Sequence, residues 1–558
     1  MWDTLDLVHE RVDDIPLILG LTRRLNLPEI LDQCLGRHHL HQGLSPGWLA
    51  TVWITYVLSQ ADHRKSAVRD WARVHRVTLE RLIGQPIRDA DFTDDRLAIL
   101  LRRLAPAEVR SDLEARLWAG TCEVYQLPVE QVRLDSTTSY GFHTVTDGGL
   151  MQRGQSKDHR PDLPQLKLMA AAAEPTGVIL ATEVHPGNTN DDPLYLPLIT
   201  RVREILGRRG LLYCGDCKMA ALETRADLQH HGDYYLVPLP LSPGNAALLD
   251  QAVTAAVEGD QVCELIWDGP RLLGASYELS RRVQADGDAE GPDWAERVQV
   301  VRSRDLAEGH ARTLEQNLVK AEAAALGLTP PRGRGRRLFR DEVALQQALA
   351  KVWEQFGVTG LLEAEVRQDP EAAAQGVARW EVTAVRRLTE AIATRRARQG
   401  WRLYATNLPA ERMDLGACVR SYRGGWCLER DFHLLKDAPL GIRPWFVRRD
   451  DQVVGLSFLL LLALRVLSLC EVLMRRGQQQ RGDRLTGLYV GQPSRRTDHP
   501  TGLAVLKAVA RLELTLTRIR VGDEERAHLT DLPPLVRRVL DDLGLEESWY
   551  TRLVDPVP

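Results

Sequence analysis

Apolar residues recur every three to four positions in LATVWITYVLSQ (residues 49–60) and DDRLAILLRRL (94–104), the spacing of a helix with one buried face. The chain is therefore predicted to be helical over 1–120. From 129 the period shortens. VEQVRLDST, QLKLMAAAAE and TGVILATEVH read as three strands, the last two joined by a turn at Glu174, Pro175, Thr176 and Gly177. DDPLYLPLITRVREIL then reads as a helix, LLYCGD as a strand, MAALETRADLQHHG as a helix and YYLVPLP as a strand. Three strands, helix, strand, helix, strand is an α/β layout. Residues 241–400 interrupt it with strand-like pieces (VCELIWDG, RLLGASYELSRRV, ERVQVVRS) followed by helical ones. Strand character returns in WRLYATNLP (401–409), and a long helix is predicted through SYRGGWCLERDFHLLKD. The apolar run at 453–464 is twelve residues long and ends at Arg465, too short for a membrane span, so it reads as a buried core helix. The predicted domains are a helical 1–120 that is a candidate for DNA binding, an α/β core in two parts (121–240 and 401–475), an inserted β-containing domain (241–400), and a helical 476–558.

Composition narrows the class without naming it. With 44% hydrophobic and 27% charged residues among 558, the chain is neither disordered nor fibrous. Its net charge of −4 means that any nucleic acid must be held by local patches. Basic residues are mostly Arg, 64 against eight Lys, which suits bidentate phosphate contacts and equally a GC-rich genome. A basic stretch at 63–84 and the acid-free PRGRGRRLFR (331–340) are candidate backbone contacts, or a solvated helix face and a surface linker. Eight scattered Cys, including one C-x-x-C at Cys214 and Cys217, suit a reducing cytosol. The N-terminal MWDTLDLVHERVDD lacks a signal peptide's apolar region, so a cytoplasmic, non-membrane protein is expected.

Three carboxylates stand out. Asp135 is predicted at the end of the first core strand, Asp216 at the end of the fourth, and Glu429 on the helix after the insertion. Neighbouring strand ends would bring the two Asp together. Clustered carboxylates raise one another's pKa, and two hard divalent ions, Mg²⁺ or Mn²⁺, relieve that repulsion while clamping the attacking and leaving oxygens of a phosphoryl transfer. Asp192 competes with Asp216 but suits a helix N-cap. Asp431 and Asp437 compete with Glu429. In a continuous helix, Tyr422, Glu429 and Lys436, spaced seven and seven, share one face. Residues 420–449 carry seven Arg or Lys against three acids. His143 and His159 flank a polar loop without an assigned role, and Trp426 is expected in the core.

The run Y-x6-E-x6-K, following Asp135 and Asp216, resembles the third motif of the DDE transposases of bacterial insertion sequences, Y-x2-R-x3-E-x6-K. GQSKDHRPDLPQLKL (154–168), HPGNTNDD (185–192) and the Gly215–Asp216 pair are also similar to that group. The resemblance implies a ribonuclease H-like mixed sheet, with the insertion between its fifth strand and the Glu helix. It implies Mg²⁺- or Mn²⁺-dependent cleavage at transposon terminal inverted repeats and strand transfer into target DNA, by a homodimer in a synaptic complex at the bacterial nucleoid. Asp135, Asp216 and Glu429 would be the catalytic metal ligands, and Tyr422, Arg423 and Lys436 would contact DNA. Gly425 occupies the motif's Arg position, so an impaired, DNA-binding derivative and a purely hydrolytic nuclease are the alternatives.

Overall fold

The computed structural model describes residues 5–37, 42–285, 293–331, 338–521 and 524–554. Most of the 331–340 segment lies outside them. The chain forms two compact units, Met1–Tyr234 with Gly425–Pro558, and Tyr235–Gly424.

The first unit is built around a helix far longer than its apolar run suggests. Asp450–Arg481 spans 32 residues and is buried along most of its length. Among the described residues it alone is long and apolar enough to cross a membrane, yet 94% of its most apolar window is buried within the protein, the environment of a core helix. The helices Pro46–Gln60 and Asp94–Leu104, both expected from their periodicity, pack against it. Gly455 makes one of these contacts possible: a Cβ there would lie 2.0 Å from the Leu101 carbonyl oxygen.

The sheet of this unit runs Val178–Pro186, Gln165–Glu174, Gln131–Tyr140, Leu212–Cys214, antiparallel except for the last pair. The Gln165–Glu174 strand is buried at every position and carries four consecutive alanines, poor strand formers. Their small size gives the run its place. Leu428 and Phe432 of the helix Trp426–Lys436 pack on Ala170 and Ala172.

Both ends of the chain depart from the all-helical expectation. Leu5–Arg11 pairs with Thr515–Val521, which pairs with Glu524–Leu529. Polarity does not follow burial in these strands, since Glu10 is buried while Leu7, Ile519 and Val521 are exposed, and this masks the strand period. Arg518 and Arg520 close on Glu525 and hold its carboxyl down at about 2.

The second unit has its own antiparallel strands in the order Tyr234–Pro238, Trp401–Thr406, Asp293–Ser303, Arg271–Gln284, Glu264–Asp268. A hairpin, Leu362–Gln368 with Trp380–Arg387, is covered by the helices Arg304–Gly327 and Glu342–Gln355 around two small apolar cores. The strand Trp401–Thr406 and the helix Leu415–Arg423 belong to this unit.

Asp14 provides a pH probe of the first unit. It is 1% exposed and accepts a hydrogen bond from Ser59 Oγ at 2.7 Å, and burial pushes its carboxyl up to about 7. A raised carboxyl favours folding when protonated. Its stabilising contribution is complete below about pH 4 and is lost as pH rises through about 7. Thermal unfolding across that window is expected to show wild type losing stability relative to Asp14→Asn as pH rises. Parallel curves would refute the assignment.

Candidate active site

Asp135 does not end its strand, as expected, but sits in the middle of Gln131–Tyr140, opposite Ala170. Ser136 to Ser139 are buried and continue the ladder against Met169 to Leu166, with the Ser136 hydroxyl donating to Asp191 and Thr138 Oγ1 accepting from the Lys157 amide. The parallel partner is what ends early. Arg133 pairs with Cys214, the last residue of Leu212–Cys214. Two residues further on each strand stand Asp135 and Asp216, just past the carboxyl end of the parallel pairing, where open α/β sheets keep their ligands.

The two carboxylates are held differently. Asp135 Oδ1 accepts from the Ser136 amide at 2.7 Å and from Lys157 Nζ at 3.3 Å. Burial raises the Asp135 carboxyl above its ordinary value, the Lys157 ammonium opposes this, and the negative charge of Asp216 pushes it up again. Asp216 Oδ1 accepts from the fully buried Tyr195 hydroxyl at 2.7 Å and from the Lys218 amide at 2.8 Å, which fixes its orientation. The Tyr195 phenol is pushed well above its ordinary value by burial and by both Asp charges, so it stays a donor.

Glu429 lies in the first turn of Trp426–Lys436 and lines a 280 Å³ cavity with Asp135, Lys157, Asp158, Lys436 and Arg443. Glu429 and Lys436 therefore do share a face. Carboxylates are the ligands of a hard divalent ion, and Asp135 and Glu429 line this cavity together with the cations Lys157, Lys436 and Arg443. Among the described residues, no three His, Cys, Asp or Glu groups stand close enough to hold an ion.

The rival carboxylates are accounted for. Asp192 opens a short 3₁₀ turn, is half-exposed and pairs with Lys218 at 3.3 Å. Asp431 is fully buried beside Arg430, and burial pushes it up to about 6. Asp437 is exposed at the helix end and pairs with Arg443.

The predicted continuous helix is broken. One helix ends at Arg423 and the next begins at Trp426, with Gly424 and Gly425 between them. The seven-residue spacing thus does not relate Tyr422 to Glu429. Tyr422 packs its ring 4.6 Å from that of Tyr404, and Arg423 binds Asp305 at 3.0 Å and Ser303 Oγ, all within the second unit. Trp426, expected in the core, is 51% exposed under the Arg430 guanidinium. His143 bonds the Val447 carbonyl at 3.0 Å, and His159 adopts a left-handed turn at φ 57°.

Four residues carry site contacts that the sequence reading left unassigned: Lys157, Asp158, Tyr195 and Arg443. The first two lie in the 154–168 segment, beside His159.

Residues 131–466, more than half of the chain, match the Transposase DDE domain family, and the chain belongs to that family. No curated protein matches it. Among solved structures it is similar to one titled "Cryo-EM structure of piggyBac transposase synaptic complex with hairpin DNA", at 10% identity and a TM-score of 0.27, over 52% of this chain and 59% of that one. The match spans less than two thirds of the piggyBac chain, and a likeness of this size carries no argument about the fold.

Gly425 faces a buried guanidinium. A Cβ there would lie 2.7–3.0 Å from Arg133, which is pinned to Glu174 at 2.5 Å. A second guanidinium starting there would meet the first. Gly425→Arg is therefore expected to lower the melting temperature by several degrees, roughly 1–3 kcal/mol of overpacking and charge repulsion, with Gly425→Ala intermediate. An unchanged or raised melting temperature for Gly425→Arg would show that Arg133 can yield.

Proposed function

We propose that this member of the family is an active DDE transposase of the bacterial insertion-sequence type, which cuts DNA at transposon ends and joins the freed 3′ end to target DNA. The observation that carries this reading is the convergence of Asp135 and Asp216 past the end of one parallel strand pair, with Glu429 facing the same cavity as Asp135. On this reading the strands of the first unit and the Glu429 helix belong to a ribonuclease H-like core, and Tyr235–Gly424 carries its insertion.

Asp135, Asp216 and Glu429 are the proposed ligands of two Mg²⁺ or Mn²⁺ ions. When bound, such ions activate the attacking oxygen and stabilise the leaving one. The chain's own residues do the remainder. Tyr195 and the Lys218 amide orient Asp216. The Ser136 amide holds Asp135. Lys436 presents a cation to the DNA phosphates that enter the cavity. Tyr422 and Arg423 are proposed DNA contacts of the second unit, Arg423 by exchanging Asp305 for phosphate. The working assembly is proposed to be a homodimer on paired terminal repeats in the bacterial cytoplasm.

Asp135→Ala, Asp216→Ala and Glu429→Ala are each expected to abolish cleavage of DNA carrying the element's own ends while leaving its binding within a few-fold, because losing a ligand removes several kcal/mol of transition-state stabilisation. Normal cutting by Asp216→Ala together with loss in Asp192→Ala would overturn the second-ligand assignment.

Cleavage and joining are expected to vanish in EDTA and to return with Mg²⁺ or Mn²⁺. Ca²⁺ is expected to restore binding better than chemistry, since its coordination is longer and looser. Cutting in EDTA would sink the metal mechanism. A second reading, a DNA-binding derivative with impaired chemistry, is motivated by Gly425 at the motif's Arg position. It predicts duplex binding with no cleavage under any metal.

A further inference from the structure

The segment between residues 153 and 164 forms turns rather than strand or helix, and it places two adjacent, oppositely charged side chains in the cavity. Lys157 Nζ stands 3.3 Å from Asp135 Oδ1 and donates to the Ser136 carbonyl at 2.6 Å. Asp158 points the other way. Its Oδ1 accepts from Lys436 Nζ at 2.7 Å, and its Oδ2 lies 3.4 Å from Arg443 Nη1. Asp158 and both its partners are largely shielded from water, with Asp158 10%, Lys436 11% and Arg443 20% exposed. Arg443 is braced over the Tyr140 ring at 4.7 Å, and its second nitrogen reaches Asp437 at 3.4 Å. The segment is also held through its backbone, the Gln155 carbonyl accepting from Gln165 Nε2 and the Pro164 carbonyl from the Gly141 amide. The Lys157 amide donates to Thr138 Oγ1, and Ser156 Oγ accepts from the Asp158 and Arg160 amides.

These charges mirror what the reaction would bring. An ammonium sits at the carboxylate where a divalent cation would bind. A carboxylate sits between an ammonium and a guanidinium, the same donor set that binds a phosphate oxygen. We propose that Arg443 joins Lys436, the phosphate contact already proposed, and that in the resting site Lys157 and Asp158 occupy the places of the ligands, the lysine that of the cation and the aspartate that of the DNA phosphate. This rests on the transposase reading above. Because the two residues are adjacent in the chain, expelling one loosens the other. Cation and DNA therefore assist each other's binding, and the assistance is reciprocal.

The test uses the full chain, a short mixed-sequence DNA duplex and Mn²⁺ alone, with no cleavage measured. Duplex binding in EDTA is read by fluorescence anisotropy, and Mn²⁺ binding without DNA by electron paramagnetic resonance. Asp158→Asn is expected to tighten duplex binding about tenfold, the weight of one charge-assisted bond no longer in competition. That gain should disappear when Lys436→Ala and Arg443→Ala are added. Lys157→Gln is expected to tighten Mn²⁺ binding several-fold. In wild type, duplex should tighten Mn²⁺ binding, and Mn²⁺ should tighten duplex binding by the same factor. If wild type binds both probes but neither variant gains and the two ligands are independent, the stand-in role is overturned and the transposase reading survives. If Asp158→Asn fails to fold, the wild-type coupling decides by the same criterion. If wild type binds neither probe, both readings fall.

Discussion

The arrangement of the site depends on one packing contact, the seating of Leu428 and Phe432 on Ala170 and Ala172. Ala170 is the direct ladder partner of Asp135. The residues that hold the helix against the sheet are thus one strand away from the carboxylate that the helix must face. Larger side chains in that alanine run would lift the helix off the sheet and carry Glu429 away from Asp135, since a packed interior has no slack to absorb added methylenes. The same strand ends at Glu174, which fixes Arg133 beneath Gly425 at the start of the helix. One strand therefore sets both the depth of the helix and its starting point.

Electrostatics then fixes what the site can hold. Asp135 and Asp216 are close enough for the charge of one to raise the carboxyl of the other. The protein offsets this with nearby donors and one ammonium rather than by separating the acids. Tyr195 lies on the helix Tyr195–Leu206 with its hydroxyl committed to Asp216. Lys167 and Ser136 are likewise drawn to Asp191, a carboxylate adjacent to the rival Asp192. Asp191, Asp192 and Asp135 each have a lysine partner, whereas Asp216 is held by a neutral hydroxyl and an amide.

Much of this was legible in the sequence, and the failures have physical causes. The three core strands, the Glu174 turn, the helices at 46–60 and 94–104 and the carboxylates themselves follow from period and residue type. The position of Asp135 within its strand was misjudged because Ser and Thr after it look like a loop, although buried hydroxyls can remain in a ladder. The terminal strands show no two-residue period in the sequence because Glu10 is buried while Leu7, Ile519 and Val521 are exposed. The break at Gly424 and Gly425 was hidden by a motif whose spacing suits a continuous helix. Trp426 was assigned to the core on residue type, yet a guanidinium shares its exposed face. Lys157 and Asp158 could not be singled out by periodicity, because their partners are 22 and 278 residues away in the chain.

The chain leaves the first unit after Tyr234 and returns at Gly425, and each excursion closes on its own hydrophobic core. A continuous helix through that return would commit residues on both sides to one axis. Two glycines there remove the obligation. Helix propensity falls by about 1 kcal/mol at each, so Leu415–Arg423 ends in its own unit and Trp426–Lys436 starts against the sheet. The cost is local. The Arg that the family motif places in this stretch would begin its side chain against Arg133 rather than at a phosphate. On the proposed function, the cation for DNA comes instead from Lys436 and Arg443, both turned toward Asp158 on the cavity wall.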